Sequence, residues 1–213
     1  MVTVILERHG QSEGNQKNIF TGHTDVNLTA LGEKQVSCAA EYITKTYKID
    51  RIYSSDLKRA VKTAEFVAEK TGLEIEKCEK LRELYAGKWD GVSFGVIQRD
   101  YADDWKVWAE DVGNSRCTGG ESVKELGERF IGKLTEIAEE NDGKTVFVAT
   151  HATPIRTTQC LLGGKSLDEM KNIPWGANAS ITVLEYDNGK WSLKLASFDE
   201  YLGEFSTNLP ANV

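Results

Sequence analysis

Apolar positions follow two different rhythms along this chain. Val2 to Leu6 is a short, β-branched apolar run, the pattern of a strand buried on both faces. Helical spacing comes next: Thr29 is placed to cap a helix running to about Tyr47, with Val36, Ala39, Ala40 and Ile43 on one face. Arg51-Ile52-Tyr53 reads as a short strand. Asp56 is then expected to cap a second helix that turns Leu57, Ala60, Val61, Ala64 and Val67 inward and stops at Gly72. Residues 73–80 read as another strand. From Leu81 to Gly120 the period is lost; the stretch is read as irregular and collects Tyr85, Trp89, Phe94, Tyr101, Trp105 and Trp108.

Periodicity returns with Val123, Leu126, Phe130, Leu134 and Ile137, which mark a long amphipathic helix. Thr145 to Ala149 is a buried strand, and Thr153-Pro154 opens a further helix with proline in its first turn. Ser180–Glu185 and Trp191–Ala196 flank Asp187-Asn188-Gly189, a strong hairpin signal. Strands alternating with helices predict an α/β protein, a three-layer α/β/α sandwich with a mostly parallel central sheet.

No repeat or Pro/Gly/Ser-rich linker divides the 213 residues, so one domain over 1–213 is expected, with an aromatic insertion at about 85–117. The 26 basic and 33 acidic residues give a net charge of −7, which argues against a nucleic-acid or anionic-membrane partner. Any anion site must then be a small local cluster. Cys38, Cys78, Cys117 and Cys160 are far apart in sequence, with no C-x-x-C pair, so reduced thiols are expected and neither a zinc site nor a disulfide framework. With neither a basic leader nor an apolar run of spanning length at the N-terminus, the chain reads as soluble and cytoplasmic.

Ligands of parallel sheets bind beyond the carboxyl ends of the strands. Arg8-His9 follows the first strand, Ser54-Ser55 the next, and His151 the strand ending at Ala149, so the candidate chemistry gathers on one edge. A neutral imidazole at His9 can attack phosphorus, and Arg8 beside it can hold a phosphate. Gly10 allows close approach by a ligand or an unusual turn. Lys58 and Arg59 sit in a first helical turn, where the macrodipole disfavours cations; a bound anion would reverse that at Arg59, while Lys58 fits a merely tolerated charge. Glu83, at the head of the aromatic stretch, suits a proton donor to a leaving alkoxide, although a surface carboxylate paired with Arg82 is the blander reading. Asn15 and Gly22 could add an amide and a backbone N–H, or be ordinary turn residues.

The string Leu6-Glu7-Arg8-His9-Gly10-Gln11-Ser12-Glu13-Gly14-Asn15 resembles the signature of the histidine phosphatase superfamily, the phosphoglycerate mutase-like proteins. The resemblance continues through Thr21-Gly22, Asp25, Leu28-Thr29, Gly32, Tyr53 to Ala60, Thr63-Ala64, Leu81-Arg82-Glu83, Gly87 to Gly91, Gly119 to Ser122, and Val146 to His151 with Arg156. It implies a phosphoglycerate mutase-like fold in which His9 is transiently phosphorylated and Arg8, Arg59 and His151 hold the phosphoryl group. Glu83 would protonate the leaving group, and Asn15, Thr21, Gly22, His23 and Ala152 would complete the substrate pocket. No metal and no cofactor are implied. Three positions depart from the pattern: Ala152 where glycine is frequent, His23 where mutases carry tryptophan, and Asp90 where glutamate is more usual.

Mutases of this superfamily carry a longer insertion before the second histidine and a longer tail, whereas Glu83 and His151 here lie only 68 positions apart. The expected function is therefore a metal-independent phosphomonoesterase acting on a small phosphorylated metabolite. A cofactor-dependent phosphoglycerate mutase is the alternative, followed by a silent phosphate-binding regulator. A phosphorylated acid, a sugar phosphate and a nucleoside phosphate such as α-ribazole phosphate all stay open as substrates. Trp105 and Trp108 could line a lid, a core or a dimer face.

Overall fold

The computed structural model describes residues 1–207. Its strands are β1 (Val2–Arg8), β2 (Ile19–Phe20), β3 (Arg51–Ser54), β4 (Ile75–Lys77), β5 (Val92–Ser93), β6 (Thr145–Thr150), β7 (Ile181–Asp187) and β8 (Lys190–Phe198). Its helices are α1 (Glu13–Gln16), α2 (Ala30–Thr46), α3 (Lys58–Thr71), α4 (Phe94–Asp100), α5 (Ala102–Glu110), α6 (Val123–Glu140) and α7 (Ala152–Leu162). Six strands form the main sheet in the order β4-β3-β6-β1-β7-β8; β2 and β5 make a separate two-stranded ribbon. β1/β6, β3/β6 and β3/β4 pair in parallel, while β7 runs antiparallel to both β1 and β8.

The expected three layers are present. On one face, Ile5, Ile52, Phe147 and Ala149 pack against Val36, Ala39, Ala40 and Ile43 of α2 and Ala60, Ala64 and Val67 of α3. On the other, Val4, Leu6, Val146 and Val148 meet Phe130, Leu134 and Ile137 of α6 and Ile155 of α7. Central strands with side chains buried on both faces explain why β1 and β6 are continuous apolar runs rather than alternating ones. The β7–β8 hairpin turns through Asn188 (φ 47°) and Gly189 (φ 77°), the left-handed pair that a two-residue connection needs.

Three details depart from the expectation. Asp56 does not cap α3: Leu57 occupies the cap position, and the Lys58 amide donates to Asp25 Oδ1 at 2.8 Å. Asp56 is drawn off instead into a forked ion pair with Arg82. The strand expected over 73–80 is reduced to β4, followed by a 3₁₀ turn at Glu79–Leu81. Residues 81–120 are not irregular but hold β5, α4 and α5 around a third core. That core joins Phe20, Leu84, Trp89, Ile97 and Trp108 to Val123 and Leu126 of α6 and to Cys160 and Met170. Its elements are two to nine residues long, too short for any period to show. Trp108 belongs to this core, edge-on to Phe20 and Trp89 and stacked on Trp175; Trp105 is half-buried against Trp89 and Phe94.

Glu7 is an anomaly of β1. It is fully buried, and neither carboxyl oxygen has a hydrogen-bond partner. Burial pushes its carboxyl well above the usual carboxylate range, so the folded chain keeps it protonated. The unfolded chain ionises this group above its ordinary value of 4.5, so folding takes up a proton between that value and the raised one. The contribution is unfavourable as pH rises from that value toward the raised one. Glu7→Gln should therefore raise Tm at pH 8, by about 2–4 °C for each kcal/mol recovered, and leave it nearly unchanged at pH 4. Thermal unfolding of both proteins at the two pH values measures this; an equal shift at both would remove ionisation from the account.

Candidate active site

β1 and β6 run side by side, with Arg8 opposite Thr150, so His9 and His151 leave the sheet together. Their rings stand edge to face with centroids 5.3 Å apart. The His9 Nδ1–H donates to the Gly10 carbonyl at 2.7 Å; because a carbonyl only accepts, this fixes the proton on Nδ1 and leaves Nε2 with its lone pair. Burial, reinforced by the charges of Arg59 and Arg8, drives the His9 imidazole well below the usual histidine range. The ring is neutral and nucleophilic at neutral pH. His151 is lowered by the same causes, burial first and Arg59 next. Ser55, at the end of β3, contacts His151 Nε2 through its hydroxyl at 2.8 Å.

Arg59 is fully buried in the first turn of α3, where its guanidinium donates to the carbonyls of Gly22 (2.8 Å) and Thr24 (2.9 Å). Arg8 donates to the Gly176 carbonyl at 2.6 Å. Burial lowers both guanidinium groups to about 10, although each stays charged. Among the described residues nothing partners His151 Nδ1 or the buried donors Arg8 Nε and Arg59 Nε. Unmet donors of this kind cost about 1–3 kcal/mol each. Lys58, by contrast, is exposed and paired with Asp25.

Glu83 does not pair with Arg82. Its carboxylate accepts the Leu84 amide (2.8 Å) and the Thr153 amide (3.3 Å) at the N-terminus of α7. Asn15 closes a capping box with Ser12; its carbonyl oxygen accepts from Ser12 and from Asn178, and among the described residues no acceptor takes its NH₂ group. Arg8, His9, Asn15, Thr21, Gly22, Glu83 and Ala152 all line one cleft enclosing about 690 Å³ of empty space, part of it open to solvent. A histidine lone pair, anion donors and a carboxyl on one wall suit transfer of a phosphoryl group to histidine.

His23 is not on that wall. Its Nε2 hydrogen-bonds the Glu83 carbonyl at 2.9 Å, so it holds Glu83 from behind. Gly10 serves helix packing rather than ligand approach: a Cβ there would lie 2.5 Å from the Gly32 carbonyl oxygen at the start of α2. Asp90 ties down the Arg59 support, accepting from the His23 and Thr24 amides and the Thr24 hydroxyl. Gly22 is the tight point of that loop: its φ is +40°, and a Cβ would meet Asp90 at 2.8 Å.

A family model of the histidine phosphatase superfamily (branch 1) matches residues 4–199. The chain belongs to that superfamily. Phosphoserine phosphatase 1 of Hydrogenobacter thermophilus is 32% identical to this histidine phosphatase over 205 residues, 96% of either chain. Phosphoglycerate mutase of Schizosaccharomyces pombe is 32% identical over 174 residues, 78% of this chain and 82% of its own. Among solved structures, a mycobacterial glucosyl-3-phosphoglycerate phosphatase superposes with a TM-score of 0.84 at 28% identity, covering 92% of this chain and 98% of its own.

Asn178 escaped the sequence reading. It is buried, and its Nδ2 donates to the His9 carbonyl (3.1 Å) and to Asn15 Oδ1 (3.2 Å). The neighbouring Ala179 adopts φ 58° and donates its amide to the same His9 carbonyl at 3.3 Å. The hairpin signal held a clue: β7 is antiparallel, so the loop before it must return to the edge where β1 ends. Asn178→Ala should let the nucleophile loop shift and lower kcat/KM by roughly 10²-fold, mostly in kcat, with little loss of Tm. Steady-state kinetics within a few-fold of wild type would show that Ala179 alone suffices.

Proposed function

We propose that this chain is a metal-independent phosphomonoesterase that hydrolyses a small phosphorylated metabolite in the cytoplasm through a phosphohistidine at His9. The observation carrying the proposal is the buried set of unmet N–H donors around a histidine whose tautomer is fixed for attack. Arg8 and Arg59 supply the positive charge that a phosphoryl group in transfer requires, so the reading needs no metal. Asn15, Thr21 and Gly22 would surround the phosphate oxygens, and Ala152 would lie against them at the start of α7.

In the first step His9 Nε2 bonds to phosphorus as the P–O bond to the alcohol breaks. The departing oxygen takes a proton from Glu83. In the second step water attacks the phosphohistidine and gives its proton to the Glu83 carboxylate. Inorganic phosphate leaves and neutral His9 is restored. Having Glu83 on the α7 amides keeps the same group within reach in both steps.

³¹P NMR of the protein in EDTA with simple phosphate monoesters should show inorganic phosphate accumulating. His9→Ala should abolish it while phosphate binding persists. Interconversion of phosphoglycerates without phosphate release would instead identify a mutase. Glu83→Gln should slow alkyl phosphates by ~10²–10⁴-fold and aryl phosphates far less, because a phenolate needs little protonation to leave. Equal losses on both would take Glu83 out of the acid role.

A further inference from the structure

We propose, building on the phosphatase reading, that the cleft selects phosphate esters of alcohols bearing an uncharged, apolar, ring-sized group and disfavours those bearing a carboxylate. The cleft has two ends. The inner end holds the charged groups already described. The outer end is walled by Ile19, Phe20, Phe94, Trp108 and Trp175; its polar groups are Asn18 and the indole N–H groups, that of Trp175 buried without a partner among the described residues. The cleft runs on past the charged groups to these aromatic faces, so the outer end receives the alcohol.

Charge decides what kind of alcohol. Among the described residues Arg8 is the one arginine or lysine that lines the cleft, and it belongs, with Arg59 nearby, to the inner end. Arg156 comes near the outer wall, but from behind: its guanidinium stacks on the Trp175 ring at 4.2 Å and donates to the carbonyls of Ile173 and Met170. Arg129 is committed to Glu121, and Arg82 to Asp56. Residues 208–213, Asn-Leu-Pro-Ala-Asn-Val, contain no lysine, arginine or histidine. A carboxylate on the alcohol would therefore give up water for aromatic faces, with no cation among the described residues of the outer wall to meet it. An apolar ring would bury surface against the same walls and make edge or stacked contacts with Phe94, Trp108 or Trp175. The phosphorylated acids named for the relatives thus fit this cleft poorly.

The test compares kcat/KM for four esters of primary alcohols, so that the leaving groups stay similar: propyl phosphate, 3-phenylpropyl phosphate, O-phosphoserine and 3-phosphoglycerate. The phenylpropyl ester should exceed the propyl ester by about 10-fold or more. Both acids should fall below the propyl ester. Phe94→Ala and Trp175→Ala should each shrink the phenylpropyl-to-propyl ratio, a quotient in which general damage to catalysis cancels. A ratio near one, or an acid matching the phenylpropyl ester, overturns the selectivity while propyl phosphate turnover still upholds the phosphatase. Failure of all four esters to release phosphate overturns both.

Discussion

The structure is organised around one electrostatic constraint: two guanidinium groups must be held charged in a buried place where, among the described residues, no carboxylate pairs with them. Burial lowers both, Arg59 lowers Arg8 further, and the charge of Glu83 opposes the shift in each without touching either. The solution is to satisfy the guanidinium groups partly with backbone carbonyls, at Gly22 and Thr24 for Arg59 and at Gly176 for Arg8. Carbonyls stabilise a cation but leave the net charge uncompensated. The positive potential thus remains available to an arriving phosphate. Burial first, and the same potential after it, keeps protons off both histidines, which is what a nucleophile requires and what a solvent-exposed histidine would lack near pH 6.5.

Carbonyls can do this only if the loops carrying them are rigid. Asp90 fixes the 22–24 loop through three hydrogen bonds, and Gly22 permits the tight conformation that brings its carbonyl to Arg59. His23 and Arg129 both donate to the Glu83 carbonyl, setting the acid from behind. Asn178 and Ala179 do the same for His9, and Tyr201 steadies Ala179 by donating to its carbonyl. The third core, between β2, α4, α5 and α6, has a double function here. It stiffens the Asp90 segment and offers its outer aromatic faces to the cleft.

Much of this was legible in the chain because the catalytic groups stand at strand ends and at the first turn of a helix. Val2–Leu6 and Thr145–Ala149 announce buried parallel strands, so His9 and His151 had to share an edge. A cationic first turn at Arg59 was locally unfavourable, and local disfavour pointed to an anion. What could not be read were contacts between segments distant in sequence. Asp56 looked like a cap because the partner of the Lys58 amide is Asp25, 33 residues before Lys58. His23 looked like a substrate contact because its bond to Glu83, 60 residues on, is made by folding alone. The short helices at 94–110 carry aromatic side chains chosen for a three-dimensional cluster, and no period marks such a choice.

The catalytic edge is also where this fold tolerates its poorest local chemistry. Among the described residues the Nε donors of Arg8 and Arg59 are orphaned, Ala179 is forced into the left-handed region, and Glu7 lies buried and unpartnered two residues before His9. Each feature opposes folding, by order of 1–3 kcal/mol for an unmet donor or a strained backbone. The donors and Ala179 have a chemical reason, since an anion completes the first and the second aims an amide at the nucleophile loop. Glu7 has none in the steps of phosphoryl transfer: it faces the α2/α3 side of the sheet, away from the cleft. What it does share with the others is position on β1, a strand paired on both edges and packed on both faces. Only a strand so over-determined could carry a neutral carboxyl without loss of register. That rigidity is the same property that holds Arg8 and His9 at its end.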